Sequence, residues 1–320
     1  MAVQAMCRLP IIDFSKEDLK PGTSSWLSTR NKVQSALEEY GCFEAVYDKI
    51  ISLELHNEIF GSAKELLDLP TEVKAKSSSD ISYFGYTGEE PDRPLFQSLG
   101  INHASTLEGP QSFTNLTQTF TNQMWPAGNN QFCENALSYA KKIVELEQLV
   151  KRMVFDSYGV KKYLDPRIQF YNLRFLKYRV PEMDEANVGV ENHTDKTFLS
   201  ILHQNEVNGL EVKTKNGDWI KMELSPSSFV VMAGEVLLAW SNGRIHTPFH
   251  RVILKGTKAR YTVGLFSFQS GIIQTPEELV DDKHPLRFKP FEYFKLLRYH
   301  YDLDDARKGN ESTVKALCGV

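Results

Sequence analysis

Phe249-His250-Arg251-Val252-Ile253-Leu254 and Arg260-Tyr261-Thr262-Val263-Gly264-Leu265-Phe266-Ser267-Phe268 are separated by Lys255-Gly256-Thr257-Lys258-Ala259. Both arms are rich in β-branched and aromatic residues, and the segment between them has the composition of a turn. The pair predicts a hairpin that folds the second arm back beside His250. The same texture recurs upstream, in short β-type runs at 167–178, 197–203, 209–213, 218–221, 228–233 and 236–240. Frequent short strands with regular turns predict a sandwich or barrel.

The first half has a different period. Trp26, Val33, Ala36, Leu37 and Tyr40 recur at helical spacing, and Gly41 offers a stop. Leu55, Ile59, Phe60, Ala63, Leu66 and Leu67 form a second stripe ended by Pro70, and Ala140, Ile143, Val144, Val150, Met153 and Val154 a third before Gly159. Short strands are expected at Pro10-Ile11-Ile12-Asp13 and Cys42-Phe43-Glu44-Ala45-Val46. After the β-rich region, Thr275-Pro276-Glu277-Glu278 resembles a capping box with proline at the first helical position, and a helix is expected from Phe291 to Tyr301. The chain thus reads as a mainly helical region over 1–165, a β core over 166–275 and a helical segment over 276–320. No linker-like stretch separates them, so one integrated unit is expected.

Composition narrows the function. The chain has 320 residues with 41% hydrophobic and 24% charged residues, ordinary for a folded protein. A net charge of −4 with no basic block argues against a nucleic-acid partner. No apolar stretch approaches the roughly 18 residues that suggest a membrane span. Cys7, Cys42, Cys133 and Cys318 lie far apart, with no metal-ligand spacing. The opening Met-Ala-Val-Gln-Ala-Met-Cys-Arg has no apolar signal core, so free thiols and a cytoplasmic location are expected. The oligomeric state is not readable.

His193-Thr194-Asp195 is placed at the start of a strand, where residues two apart project to one face and offer an imidazole and a carboxylate together. Sheet topology can return His250 to them. Two histidines and one carboxylate are the ligand set of non-haem iron(II) oxygenases, with positions left open for substrate and dioxygen. His246 competes with His250. On an extended strand the two would stand about 13 Å apart at roughly 3.3 Å per residue, too far to share an ion. His246 follows the turn signal Ser241-Asn242-Gly243-Arg244, so His250 is preferred. His203, on an apolar run, reads as a core histidine, and His56, His103, His284 and His300 have no matched partners.

Arg260 and Thr262 also share a face. A guanidinium fork with one hydroxyl suits a carboxylate, and a short dicarboxylate could bridge from there to a metal at His250.

At these residues the chain resembles the plant 2-oxoglutarate-dependent dioxygenases of the anthocyanidin-synthase and gibberellin-oxidase type, over nearly its whole length. The resemblance runs through Leu9 to Ser15, Tyr40-Gly41-Cys42-Phe43, Leu69-Pro70, Trp125-Pro126, the histidine and aspartate set, Gly209-Leu210-Glu211-Val212, Asn242-Gly243-Arg244 and the Arg260/Thr262 pair. Within that family it is most similar to the AOP-type enzymes of glucosinolate side chains, through Ser98-Leu99-Gly100-Ile101-Asn102, His193-Thr194-Asp195-Lys196 and Glu277-Glu278-Leu279-Val280-Asp281.

The resemblance implies an α+β fold with a distorted double-stranded β-helix, or jelly roll, flanked by helices. It implies Fe(II) on His193, Asp195 and His250, and 2-oxoglutarate held by Arg260, Thr262 and Tyr178, with O2 consumed and ascorbate supportive. The family's Arg-x-Ser is Arg-x-Thr here, and its Asn-Tyr-Tyr-Pro is Leu176-Lys177-Tyr178-Arg179, which removes an asparagine contact beside Tyr178. The implied reaction oxidises, in the first instance hydroxylates, a small-molecule plant specialised metabolite such as a glucosinolate, steroidal alkaloid or gibberellin-like compound, releasing succinate and carbon dioxide. Phe84, Tyr86, Phe96, Phe175 and Phe266 are candidate walls. The rival readings are an iron oxidase independent of 2-oxoglutarate, a catalytically silent jelly-roll binding protein, and a zinc enzyme with the same ligand types.

Overall fold

The computed structural model describes residues 8–48, 51–77, 79, 84–88, 90–91, 93–103, 109–160, 169–302 and 311–320. The expected boundary at 165/166 lies outside them.

The chain begins with β1 (Ile11–Asp13), α1 (Ser24–Glu39), β2 (Cys42–Val46), α2 (Leu53–Leu67) and α3 (Thr71–Lys74). Next come β3 (Thr87–Gly88), β4 (Phe96–His103), α4 (Gly109–Met124) and α5 (Asn130–Ser157). The β-rich part runs β5 (Gln169–Tyr178), β6 (Val188–His193), β7 (Leu199–Gln204), β8 (Leu210–Lys213), β9 (Trp219–Lys221) and β10 (Ser228–Ala233). It continues through α6 (Glu235–Trp240), β11 (His250–Ile253), β12 (Arg260–Gln269) and β13 (Ile272–Ile273). A 3₁₀ turn at Glu277–Leu279, β14 (Phe291–Glu292), α7 (Tyr293–Asp302) and α8 (Thr313–Cys318) complete it.

The helices follow local chemistry. The Thr23 side chain accepts from the N–H of Trp26 to cap α1, and Asn129 accepts from Phe132 to cap α5. Each satisfies an otherwise orphaned N–H. Their apolar stripes, with Ile59 and Ala63 of α2, pack on Leu173, Phe175, Ile201, Val263 and Leu265 in one buried cluster.

Two sheets form the core: an eight-stranded one ordered β1-β2-β10-β7-β12-β5-β4-β3 and a four-stranded one ordered β6-β11-β8-β9. This is the jelly-roll architecture, with helices on the outer face of the larger sheet. Because side chains alternate, Arg260, Thr262 and Gly264 of β12 point to the inner face while Val263 and Leu265 point to the helices. Between the sheets lie Leu210, Val212, Ile220, Val230 and Met232, and, nearer β11, Leu176, Tyr178, Val252 and Leu254.

Several expectations are corrected. Residues 236–240 are helical, because a short run buried on every side has no period to separate strand from helix. The strand β6 ends at His193, so His193 closes a strand and does not open one. The arms on either side of Lys255-Gly256-Thr257-Lys258 are not a hairpin. β11 is paired on both edges by β6 and β8, and β12 by β5 and β7, so the turn carries the chain from one sheet to the other. The expected helix at Glu277 is a single 3₁₀ turn. The first half also contributes β4, paired with β5 along its whole length, which its composition did not announce. No helix among the described residues is long and apolar enough to cross a membrane.

Candidate metal and cosubstrate site

His193, the last residue of β6, stands directly opposite His250, the first of β11. Their ring centroids lie 4.1 Å apart. Asp195 turns back toward both, its Oδ1 3.8 Å from His193 Nε2 and 3.7 Å from His250 Nε2. Among the described residues this is the group of His, Cys, Asp and Glu whose donor atoms, one from each, all fall within 4.8 Å of one another. One ion with bonds of about 2.1 Å can span separations up to about 4.2 Å between two ligands, so both measured pairs lie in reach.

Backbone carbonyls orient the rings. His193 Nδ1 lies 2.8 Å from Glu191 O, and His250 Nδ1 lies 3.4 Å from Pro248 O. An Nδ1–H aimed at a carbonyl leaves the Nε2 lone pair for the centre. Burial, and then the neighbouring His250, hold the His193 pKa below its ordinary value. Burial pushes the Asp195 carboxyl upward, but His250, His193 and the Ser200 hydroxyl together outweigh it and the carboxylate is favoured. Neutral imidazole and ionised carboxylate are the forms that bind a metal.

Arg260 is nearly fully buried at the start of β12. Its Nη2 donates to Gln204 Oε1 at 3.0 Å, and its guanidinium carbon lies 5.0 Å from the ring centroid of Tyr178, its cross-strand partner. Burial lowers the Arg260 pKa and raises that of Tyr178, where the adjacent Arg260 opposes the rise. A Cβ at Gly209 would come 3.1 Å from Arg260 Cδ and from Ile253 O, so the absent side chain there leaves room for the arginine stem.

At these site residues three buried atoms have no hydrogen-bond partner: Asp195 Oδ2, Arg260 Nε and Thr262 Oγ1. Buried polar groups in folded proteins are almost always paired. A carboxylate oxygen beside two imidazoles and a guanidinium beside a hydroxyl are what a divalent metal and a carboxylate would satisfy. The residues fit Fe(II) and 2-oxoglutarate.

The remaining histidines lie elsewhere. His246 donates its backbone N–H to Leu37 O and is outside the three-residue group; burial lowers its pKa to about 4. His203 is fully buried on the helix side of β7, with Nδ1 3.0 Å from Tyr139 Oη and Nε2 2.7 Å from Pro226 O. His56, which likewise stands outside the three-residue group, lies with its Nδ1 3.1 Å from His203 Nε2, because α2 packs over the strand. His284 pairs with Asp281 and His300 Nδ1 meets Thr313 Oγ1, contacts that spacing did not disclose. Of the candidate wall aromatics, Phe96 packs on Tyr178, whereas Phe175 packs on Phe132 of α5 and belongs to the outer core.

Residues 167–269 match the model of the 2OG-Fe(II) oxygenase superfamily, and residues 9–128 match that of the non-haem dioxygenase in morphine synthesis N-terminal region. The chain belongs to the 2OG-Fe(II) oxygenase superfamily, as a dioxygenase that uses Fe(II), 2-oxoglutarate and O2. It is 44% identical over 301 residues to an Arabidopsis thaliana protein named "Probable 2-oxoglutarate-dependent dioxygenase AOP1", covering 91% of this chain and 96% of that one. Among solved structures, it is similar to a rice dioxygenase for auxin oxidation, with a TM-score of 0.79, 26% identity and coverage of 98% of this chain and 100% of that one. It is also similar to the Arabidopsis thaliana dioxygenase for auxin oxidation in complex with 2-oxoglutarate, with a TM-score of 0.74, 27% identity and coverage of 87% and 99%.

Proposed function

We propose that this chain oxidises, by hydroxylation in the first instance, a small plant specialised metabolite of the glucosinolate, steroidal alkaloid or gibberellin-like kind, in the cytoplasm. In this reading His193, Asp195 and His250 hold Fe(II), Arg260 and Thr262 take the distal carboxylate of 2-oxoglutarate, and Tyr178 walls the cosubstrate. The observation that carries it is the set of partnerless buried atoms on Asp195, Arg260 and Thr262. Fe(II) with 2-oxoglutarate and O2 supplies the oxidising power, and succinate and carbon dioxide leave. The protein's share is placement and exclusion of water. The inter-sheet residues Leu176, Val252 and Leu254 keep the site dry, and Gln204 aims the guanidinium.

A second reading, oxidation of an auxin-like acid, is favoured by the two similar structures. Incubating the full chain with Fe(II), ascorbate, 2-oxoglutarate and either plant extract or indole-3-acetate tests both. The expected result is one succinate released per oxidised product, found by mass spectrometry. Product without succinate would favour a 2-oxoglutarate-independent oxidase, and neither succinate nor product would favour a silent binding protein.

A further inference from the structure

The residues that carry the site's carboxylate, 194–198 between β6 and β7, belong to no helix or strand, yet all five are buried. The first turn of α6 holds them. The N–H groups of Gly234, Glu235 and Val236 have no partner within the helix, as at any helix start. They donate instead to the carbonyl oxygens of Phe198 at 3.1 Å, Asp195 at 2.8 Å and Thr197 at 3.2 Å. A Cβ at Gly234 would lie 2.0 Å from Thr197 O, so glycine is what lets the two segments approach.

Side chains close the loop from the other side. Lys196 Nζ donates to Thr194 O at 2.7 Å, to Thr194 Oγ1 at 2.9 Å and to Glu235 Oε1 at 3.2 Å, which folds 194–196 around one ammonium group. Thr194 Oγ1 donates in turn to Glu235 Oε1. The first two N–H groups of α8, those of Thr313 and Val314, donate to Oε1 and Oε2 of the same carboxylate. Thr194, Lys196, Glu235, Thr313 and Val314 are all buried, so these bonds are sheltered from competing water. Asp195 is the middle residue of the fold around Lys196. Its backbone cannot shift without breaking part of this network.

We propose that Glu235 is a positioning residue for the metal. With Lys196 and the opening N–H groups of α8, it holds the Asp195 carboxylate where it meets His193 and His250, and so couples Fe(II) affinity to the docking of the C-terminal helix. Glu235 acts through the loop, and the ligands remain the three residues named above. Groups that orient metal ligands in this way carry about 10–100-fold in metal affinity. The proposal rests on the reading of His193, Asp195 and His250 as the Fe(II) ligands.

The test is anaerobic Fe(II) titration of the full chain, with circular dichroism to show that each variant is folded. Glu235→Gln keeps the shape, removes the charge and sets an amide N–H2 against the N–H donors. It is expected to weaken Fe(II) binding about 10–100-fold. Val150→Ala, in the buried stripe of α5 on the helix side of the sheet, removes core contacts and stability but is expected to leave Fe(II) affinity unchanged. A second pair isolates α8. Thr313→Pro deletes the N–H at the first helical position, where proline fits, together with the hydroxyl that meets His300 Nδ1, whereas Thr313→Val deletes the hydroxyl alone. Fe(II) is expected to bind about fivefold or more weakly in the proline variant than in the valine variant. Wild-type Fe(II) affinity in a folded Glu235→Gln variant overturns the proposal, and so does a loss that Val150→Ala matches. Where Glu235→Gln does not fold, the Thr313 pair decides, and equal affinities in its two members overturn the proposal. A wild type that binds no Fe(II) overturns the ligand reading beneath it instead.

Discussion

The backbone N–H of Glu235 donates to the carbonyl oxygen of Asp195 at 2.8 Å, which fastens the first turn of α6 to the loop that carries the site's carboxylate. The Glu235 side chain, fully buried, extends the link. Its Oε1 accepts from Thr194 Oγ1 at 2.5 Å, from Lys196 Nζ at 3.2 Å and from the Thr313 N–H at 3.1 Å, and its Oε2 accepts from the Val314 N–H at 2.6 Å. One carboxylate thus ties the residues on both sides of Asp195 to the start of the C-terminal helix.

Glu235→Ala should therefore cost about 3–5 kcal/mol, the usual consequence of leaving one partner of a buried ion pair uncompensated. Urea unfolding of the metal-free protein measures it. The double variant Glu235→Ala/Lys196→Met should recover a large part of the loss, because the stranded charge is then gone. A single variant within about 1 kcal/mol of wild type would show that the network has no structural weight.

His250→Ala should weaken Fe(II) binding far more than His246→Ala. Loss of a residue that only orients a ligand costs about 10–100-fold in affinity, and loss of a ligand costs more. His246, held through its backbone to Leu37, should change affinity by no more than a fewfold. Anaerobic titration with Fe(II) measures both, and the reverse order would move the third ligand to His246.

The parts of this site that were legible in the sequence are those set by residues two apart. His193 with Asp195, and Arg260 with Thr262, declare themselves because local chain geometry nearly suffices to bring each pair together. Which sheet a strand joins is not local. The Lys255–Lys258 turn looks the same whether it closes a hairpin or crosses between sheets, so the hairpin reading failed while the strands on either side stood. β6 reads Val-Gly-Val-Glu-Asn-His, too polar for a strand by composition, and exists because β11 pairs with it.

Arg260→Ala should raise the dissociation constant for 2-oxoglutarate by about 10- to 150-fold, since a hydrogen bond to a charged group contributes about 1.5–3 kcal/mol. Thr262→Val keeps the shape and removes one neutral donor, so about a 2- to 10-fold loss is expected from about 0.5–1.5 kcal/mol. Fe(II) affinity should hardly move in either. Calorimetry with 2-oxoglutarate separates the outcomes, and unchanged cosubstrate affinity in Arg260→Ala would remove the guanidinium from that role.

Acid should destabilise the chain through the buried histidines on the far side of the sheet. Burial is the main cause of the lowered His203 pKa, about 3 against an ordinary 6.5, and burial also lowers that of His56. A histidine kept neutral by the fold binds its proton only on unfolding, so between about pH 6.5 and 3 the unfolded chain holds the extra proton. Stability then rises with pH across that window, is fully present above it, and is lost as pH falls, by at most about 1.4 kcal/mol per pH unit for each such group. His203→Gln removes one of these protons. Its stability, measured by urea unfolding of the metal-free protein from pH 7 to 4, should be lower at neutral pH, for lost contacts with Tyr139 and Pro226, but should fall less steeply with acid than that of wild type. Parallel slopes would mean that His203 takes up no extra proton when the chain unfolds, and the acid sensitivity would then have to come from other groups, His56 among them.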